Sequence, residues 1–259
     1  MTRYADKSRV QQSFFKSMYS YNQHAEAQTR MAEELLEALR RIHPAGFARV
    51  LEIGCGSGLL TERFLKSFPV EMFCANDLVE ECGIIIEDIF RQHAFGHFSF
   101  VGGDIEAIAD LPDALDLILS NATFQWLHDF DGFAAHLKTL LKPNGLLAFS
   151  TFGTQNCREI RTLTGNSLTY RPFQDVLASL QTHFDVLFSH EETITLHFAS
   201  PMDVLRHLRL TGVNGVSSQK AWTKADLAHF EQAYRERFGE FNRVPLTYHP
   251  MLFIVRAQS

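Results

Sequence analysis

The nine residues Val50-Leu51-Glu52-Ile53-Gly54-Cys55-Gly56-Ser57-Gly58 constrain this chain more than any others, because an apolar strand runs directly into E-x-G-x-G-x-G. Glycines let the backbone turn sharply and come close to a ligand, and the amides that open the following helix offer donors to an acidic group. The segment therefore predicts a strand, a tight turn and a helix that together cradle a nucleotide-like cofactor. A dinucleotide fingerprint G-x-G-x-x-G counted from Gly54 would place its third glycine at position 59, where this chain has Leu59. That departure favours S-adenosylmethionine (SAM) over NAD or FAD. On glycine spacing alone, a tight turn that binds nothing is the competing reading.

The rhythm around the motif extends the argument. Val10, Phe14, Phe15, Met18 and Tyr21, and then Met31, Leu35, Leu36, Leu39 and Ile42, recur at helical spacing and predict two helices ahead of the motif. From 48 onward the pattern alternates: strand 48–53, a helix through Leu65, strand 70–75, helix 79–92, strands 98–101 and 115–120, helix 131–141, a Lys142-Pro143-Asn144-Gly145 turn and strand 146–152. Strands alternating with helices predict an α/β fold with a doubly wound, mostly parallel sheet. Beyond Gly153 come short helices near 156–163 and 173–182, a strand over 184–198, helices after Pro201 and Thr223, and an apolar strand over 251–255. The last two strands are expected to complete the sheet edge, with the intervening helices as a cap. No Gly/Ser linker divides the chain, so one domain is expected: N-terminal helices (1–45), a cofactor-binding core (46–152), and sheet completion with cap insertions (153–259).

Composition narrows the function. Hydrophobic residues at 46% and charged residues at 21% fit a packed globular protein rather than a disordered one. No apolar run is long enough to span a membrane, and Arg3, Asp6, Lys7 and Arg9 leave no room for a signal-peptide core, so a cytoplasmic protein is expected. A net charge of -6 argues against nucleic-acid binding. Cys55, Cys74, Cys82 and Cys157 form no C-x-x-C pair and read as reduced, buried thiols. Gly96 interrupts the spacing of His93 and His97, so no metal site is expected. The 23 phenylalanines imply a bulky core.

In a doubly wound sheet, ligands bind beyond the carboxyl ends of the strands. Asp77, Asp104 and Asn121 fall at successive strand ends. There Asp77 suits the ribose hydroxyls, Asp104 the adenine amino group, and Asn121 the reactive end of the cofactor. Each alone also reads as a cap or turn residue.

Val50 to Gly58, Asp77, Asp104, Ser120 to Trp126 and Leu140 to Thr151 together resemble the class I SAM-dependent methyltransferases. Flanking segments sharpen this. Tyr21-Asn22-Gln23-His24-Ala25 with Gln28, Ser120 to Leu127, Ser150 to Gly153, Leu163-Thr164-Gly165 and Leu205 to Gly215 resemble the malonyl-acyl carrier protein O-methyltransferases of biotin synthesis. Asn76 and Glu80-Glu81-Cys82-Gly83 depart from that pattern. The resemblance implies a seven-stranded Rossmann-like methyltransferase sheet and cofactor contacts from Tyr21, Gln28, Glu52, Gly54, Cys55, Gly56, Gly58, Asp77, Leu78, Asp104, Ile105 and Asn121. It also implies a reaction in which the free carboxylate of a malonyl thioester on an acidic carrier protein takes the SAM methyl, leaving S-adenosylhomocysteine. A carboxylate is ionised at pH 7, so positioning is the main requirement and no catalytic triad is expected.

Tyr19, Tyr21 and Trp126 are candidates to close over the reacting groups. A malonyl carboxylate invites an arginine fork, for which Arg158, Arg161, Arg171, Arg206 and Arg209 are candidates. Arg206 and Arg209 share a helix face and serve equally well as a carrier-docking patch, to which Lys138 and Lys142 could add. Three other readings stay open: a methyltransferase of a free carboxylic acid, a nucleotide-binding oxidoreductase, and a SAM-binding regulator without catalysis.

Overall fold

The computed structural model describes residues 6–18, 20–94, 96–165, 168–212 and 222–258. Three N-terminal helices come first: α1 (Lys7–Ser17), α2 (Tyr21–His24) and α3 (Glu26–Ile42). The expected helix over 7–21 is broken, since α1 ends at Ser17 and a new helix starts at Tyr21. In α3, Ala27, Met31, Ala32, Leu35, Leu36 and Leu39 are buried on one face, as the spacing predicted.

The alternating region follows as β1 (Phe47–Ile53), α4 (Leu59–Ser67), β2 (Val70–Asp77), α5 (Cys82–His93), β3 (His97–Gly102), β4 (Leu115–Asn121), a 3-10 turn (Phe124–Trp126), α6 (Phe130–Leu140) and β5 (Leu141–Phe152). The Lys142–Gly145 turn is absorbed into β5 as an irregularity in its pairing with β4, and Asn144 takes φ 66°. The chain continues with α7 (Arg158–Thr164), α8 (Phe173–Gln181), β6 (Phe184–Glu191), β7 (Ile194–Phe198), α9 (Pro201–Leu210), α10 (Lys224–Phe238), β8 (Val244–Tyr248) and β9 (Pro250–Ala257). Ser200 and Thr223 cap the last two helices, Thr223 in a reciprocal box with Asp226.

Seven strands form one sheet in the order β3-β2-β1-β4-β5-β9-β6, parallel except that β9 runs antiparallel to both its neighbours. The strand expected over 184–198 is two strands. The chain turns at Glu192 and Thr193, and β7 leaves the sheet to pair with β8, an element the sequence reading did not anticipate.

Side chains alternate across the sheet, so two cores form. Val50, Leu117, Leu119 and Ile254 face α3, α4 and α5. Leu51, Ile53, Ile118, Phe149 and Phe253 face α6 and α8. The phenylalanines fall into rows on the two faces: Phe64, Phe68, Phe73, Phe90 and Phe98 on one, and Phe124, Phe149, Phe253 and Phe173 on the other. A third core joins the chain's extremes, with Val10, Ala27 and Met31 packing with Val204, Leu208, Phe230, Tyr234 and Tyr248. All four cysteines are buried and free. No helix among the described residues is long and apolar enough to cross a membrane.

Candidate functional site

The carboxyl ends of β1, β2 and β4 open into a cleft with about 1040 Å³ of non-atom space, part of it open to solvent. Its floor is the glycine turn. Gly54 takes φ +70°, and a Cβ there would lie 2.1 Å from Thr123 Oγ1, so only glycine fits. At Gly56, with φ +51°, a Cβ would meet nothing within 4 Å, because that side of the turn faces open space. Gly54 N and Cys55 N both donate to Asn76 O, locking the turn to the end of β2.

Asp77 accepts from Gly56 N (2.8 Å) on one carboxylate oxygen and from Val79 N (2.8 Å) on the other. Burial pushes its carboxyl upward, against the pull of these two amides. Glu52 is fully enclosed, accepts from Thr61 Oγ1 at 2.7 Å, and is pushed up to about 8, first by burial and then by the charge of Asp77. Asn76 is also buried, and its Nδ2 donates to Val101 O and Gly103 O, tying β2 to the loop after β3. That bond set gives the departure at this position a structural use.

Asp104 follows the neighbouring strand β3 and is gripped by Lys7 Nζ at 2.6 and 2.7 Å. Lys7 also meets Glu106, whose carboxylate accepts the His128 and Asp129 amides. Gln11 Nε2 donates to Leu78 O at 2.8 Å. Through these bonds α1 becomes a wall of the cleft, with Lys7, Val10, Gln11, Phe14 and Met18 all facing into it. The sequence reading missed these five. Their signal was present, because Lys7, Gln11, Phe14 and Met18 recur at three- and four-residue spacing and Val10 falls beside them on the same face.

Of the twelve residues expected at a cofactor, ten line this cleft: Tyr21, Glu52, Gly54, Cys55, Gly56, Asp77, Leu78, Asp104, Ile105 and Asn121. Gly58 instead caps α4 in a left-handed conformation. Gln28 lies in a smaller adjoining cavity and receives Asn121 Nδ2 on its backbone oxygen. Phe14, Tyr21, Ala122 and Trp126 line both cavities and so stand between them; the smaller one also involves Gln125, Phe152, Asn156, Tyr170, Thr211 and Tyr248. Tyr19 lies outside the described residues.

The arginines are elsewhere. Arg158 pairs with Glu159, Arg161 donates to Thr154 O, Arg171 pairs with Asp131, and Arg206 pairs with Asp203. None of these, nor Arg209, lines either cavity. Arg206 and Arg209 are exposed on α9. Lys142 pairs with Asp116 at the start of β5, the opposite end of the sheet from the cleft, and so does not extend a patch there.

A sequence profile described as a methyltransferase domain matches residues 23–210. Curated proteins named malonyl-acyl-carrier protein O-methyltransferase are similar along their whole length. The one from Chlorobium luteolum is 40% identical, with 100% of this chain and 98% of that protein covered. The one from Bacteroides thetaiotaomicron is 38% identical, with 98% and 99% covered. Among solved structures, a putative methyltransferase from Bacillus halodurans superposes with a TM-score of 0.65 at 15% identity, over 88% of this chain and 100% of that one. The N-methyltransferase NodS from Bradyrhizobium japonicum, in complex with S-adenosylhomocysteine, superposes with a TM-score of 0.58 at 15% identity, over 97% and 100%. These two speak for the fold.

Proposed function

This chain belongs to the malonyl-acyl-carrier protein O-methyltransferase family, and from that premise we propose that it methylates the free carboxylate of a malonyl group carried on an acyl carrier protein, an early step of biotin synthesis. It is a SAM-dependent methyltransferase. The single observation that carries the substrate reading is similarity of 38–40% over essentially the full length of relatives bearing that one name, cap included. The cleft supports it by fit: the open side of Gly56 leaves room against the turn, and Asp77 and Asp104 line it from the ends of neighbouring strands.

When bound, SAM supplies a methyl group on a sulfonium, a carbon activated for attack. Transfer to a carboxylate oxygen would leave the electron pair of the broken carbon–sulfur bond on sulfur. No proton moves, so no general base is needed. The chain contributes placement. Asp77 has lone pairs left for two ribose hydroxyls, Asp104 borders the place of the adenine, and Tyr21, Phe14 and Trp126 wall the junction where the acceptor meets the methyl. Their rings exclude water, which strengthens the attraction between carboxylate and sulfonium. Carrier docking is assigned to the exposed Arg206 and Arg209, on a helix that packs against α1 and α2 beside the cleft. Such a pair suits an acidic partner.

Mass spectrometry of malonyl-acyl carrier protein incubated with SAM and the purified chain tests this, alongside malonyl-coenzyme A and free malonate. The expected result is a gain of one methyl on the carrier-bound malonyl group, removed by mild ester hydrolysis. Equal turnover of free malonate points instead to a free-acid methyltransferase, and no methyl on any of the three overturns the reading.

A further inference from the structure

Among the described residues, one buried side-chain polar atom has no hydrogen-bond partner, and it is Nε1 of Trp126. The residue is 8% exposed and lies in the 3-10 turn after β4, where the main cleft meets the smaller cavity. Protein interiors rarely leave such a donor unmade, and an orphan in a site more often awaits a ligand than a neighbour.

Its surroundings say what kind of ligand. Five of the polar side chains that share the smaller cavity with Tyr21 and Gln28 are already engaged. Asn156 Nδ2 donates to Tyr170 Oη at 2.9 Å, Tyr248 Oη pairs with His207 Nε2 at 2.8 Å, Thr211 Oγ1 donates to His207 O at 3.0 Å, and Gln125 Nε2 donates to Ala122 O at 2.6 Å. Among the described residues, no lysine or arginine lines this cavity, and Lys7, the one cation bordering the main cleft, is held by Asp104 and Glu106. The indole is fixed in place, with the Phe14 ring edge-on at 6.1 Å and 89°. The site therefore offers neutral donors only, and among the described residues Trp126 Nε1–H is the buried one without a partner, where the two cavities adjoin.

Resting on the methyl transfer to a carboxylate described above, we propose that Trp126 Nε1–H donates a hydrogen bond to one oxygen of the acceptor carboxylate and leaves the other free to attack. The donor is neutral for a physical reason. The reaction joins a carboxylate to a sulfonium and ends with both charges gone, so an arginine fork would hold the starting carboxylate tightly and lose that attraction in the transition state, and stabilisation of the ground state alone does not accelerate a reaction. A bidentate fork would also occupy both oxygens. One indole N–H orients the group without either cost. It also discriminates against acyl thioesters lacking a terminal carboxylate, because only the carboxylate satisfies the orphan donor.

The test follows the indole itself. The chain has two tryptophans, so in protein with ¹⁵N-labelled indoles Trp126 is assigned by loss of the other signal in Trp222→Phe. With S-adenosylhomocysteine present, addition of malonyl-acyl carrier protein is expected to move the Trp126 indole proton downfield, and acetyl-acyl carrier protein is expected to leave it in place. In Trp126→Phe, which keeps an apolar ring, the preference for binding the malonyl over the acetyl form is expected to fall about tenfold, with S-adenosylhomocysteine affinity retained. An unmoved indole proton, a shift caused by S-adenosylhomocysteine alone, or an unchanged preference in Trp126→Phe overturns the assignment. Methyl transfer to malonyl thioesters together with any of these sinks this inference alone, whereas absence of methyl transfer sinks the functional reading beneath it.

Discussion

Where β1 and β2 end, the wall of the main cleft is mostly backbone: a turn with φ +70° and +51° at Gly54 and Gly56, amides fastened to Asn76, and a carboxylate fastened to Gly56 and Val79. Around the smaller cavity the wall is side chain, drawn from positions as far apart as Gln28, Gln125, Tyr170 and Tyr248. The first region is built from a few residues close in sequence, whose shape follows from local conformation. The second exists only once the N-terminal helices, the end of β5 and the cap have all packed. The main cleft can therefore keep its shape while the smaller cavity changes with almost any part of the chain.

Gly54→Ala strikes the backbone-built region hardest. The added methyl meets Thr123 at a φ where a Cβ is already strained, and the expected loss is several kcal/mol of stability, about 1–3 from backbone strain and the rest from the clash. Thermal denaturation and calorimetry with S-adenosylhomocysteine should show a lowered midpoint and no measurable binding. A near-native midpoint would mean the turn is not the rigid element described.

A paired experiment tests the separation itself. Asp77→Asn removes the charge beside the glycine turn, and cofactor affinity is expected to fall by about 1.5–3 kcal/mol, the range for hydrogen bonds to a charged group. Asn156→Ala strips Tyr170 Oη and His249 N of their partner, and is expected to raise the acceptor KM while leaving cofactor affinity within about twofold. If both variants weakened cofactor and acceptor alike, the two regions would be one.

The mildest perturbation is pH. Burial raises the Glu52 carboxyl to about 8 in the folded chain, well above an unfolded carboxylate, so the folded state holds a proton that the unfolded state has released. That contribution is complete below about pH 4, and is lost as pH rises toward 8, with a slope of at most about 1.4 kcal/mol per unit. Glu52→Gln cannot titrate, so urea unfolding of the variant and the parent at pH 5 and pH 8 should show the parent losing ground at the higher pH. A constant difference would mean that Glu52 is ionised throughout.

The same contrast explains what could be read in advance. That ten of the expected residues would line one cleft was legible because the glycine turn and the strand ends beside it have little freedom in where they point. The seven-stranded sheet was legible too, from alternating periods. Arg206 and Arg209 illustrate the limit. Spacing places them on one helix face, but it does not say which way the helix turns that face, and it turns outward. The 184–198 strand was misjudged because the polar stretch Ser189-His190-Glu191-Glu192 carries no Gly, Pro, Asn or Asp to mark the switch at Glu192 and Thr193 from one sheet to the other. Trp126 was noticed as a ring to stack, while its vacant N–H is a property of the packed surroundings and has no sequence signature.

The attachment of α1 has a consequence for how the chain folds. The helix precedes every strand, yet its polar anchors, Leu78 O, Asp104 and Glu106, lie 67 to 99 residues further along. A lone helix of 11 residues is marginal in water. Nor does it have a surface to lie on until β3, β2, β1 and β4 have assembled side by side. The earliest segment of the chain is thus among the last to settle, and it seals the cleft only after the sheet beneath is complete.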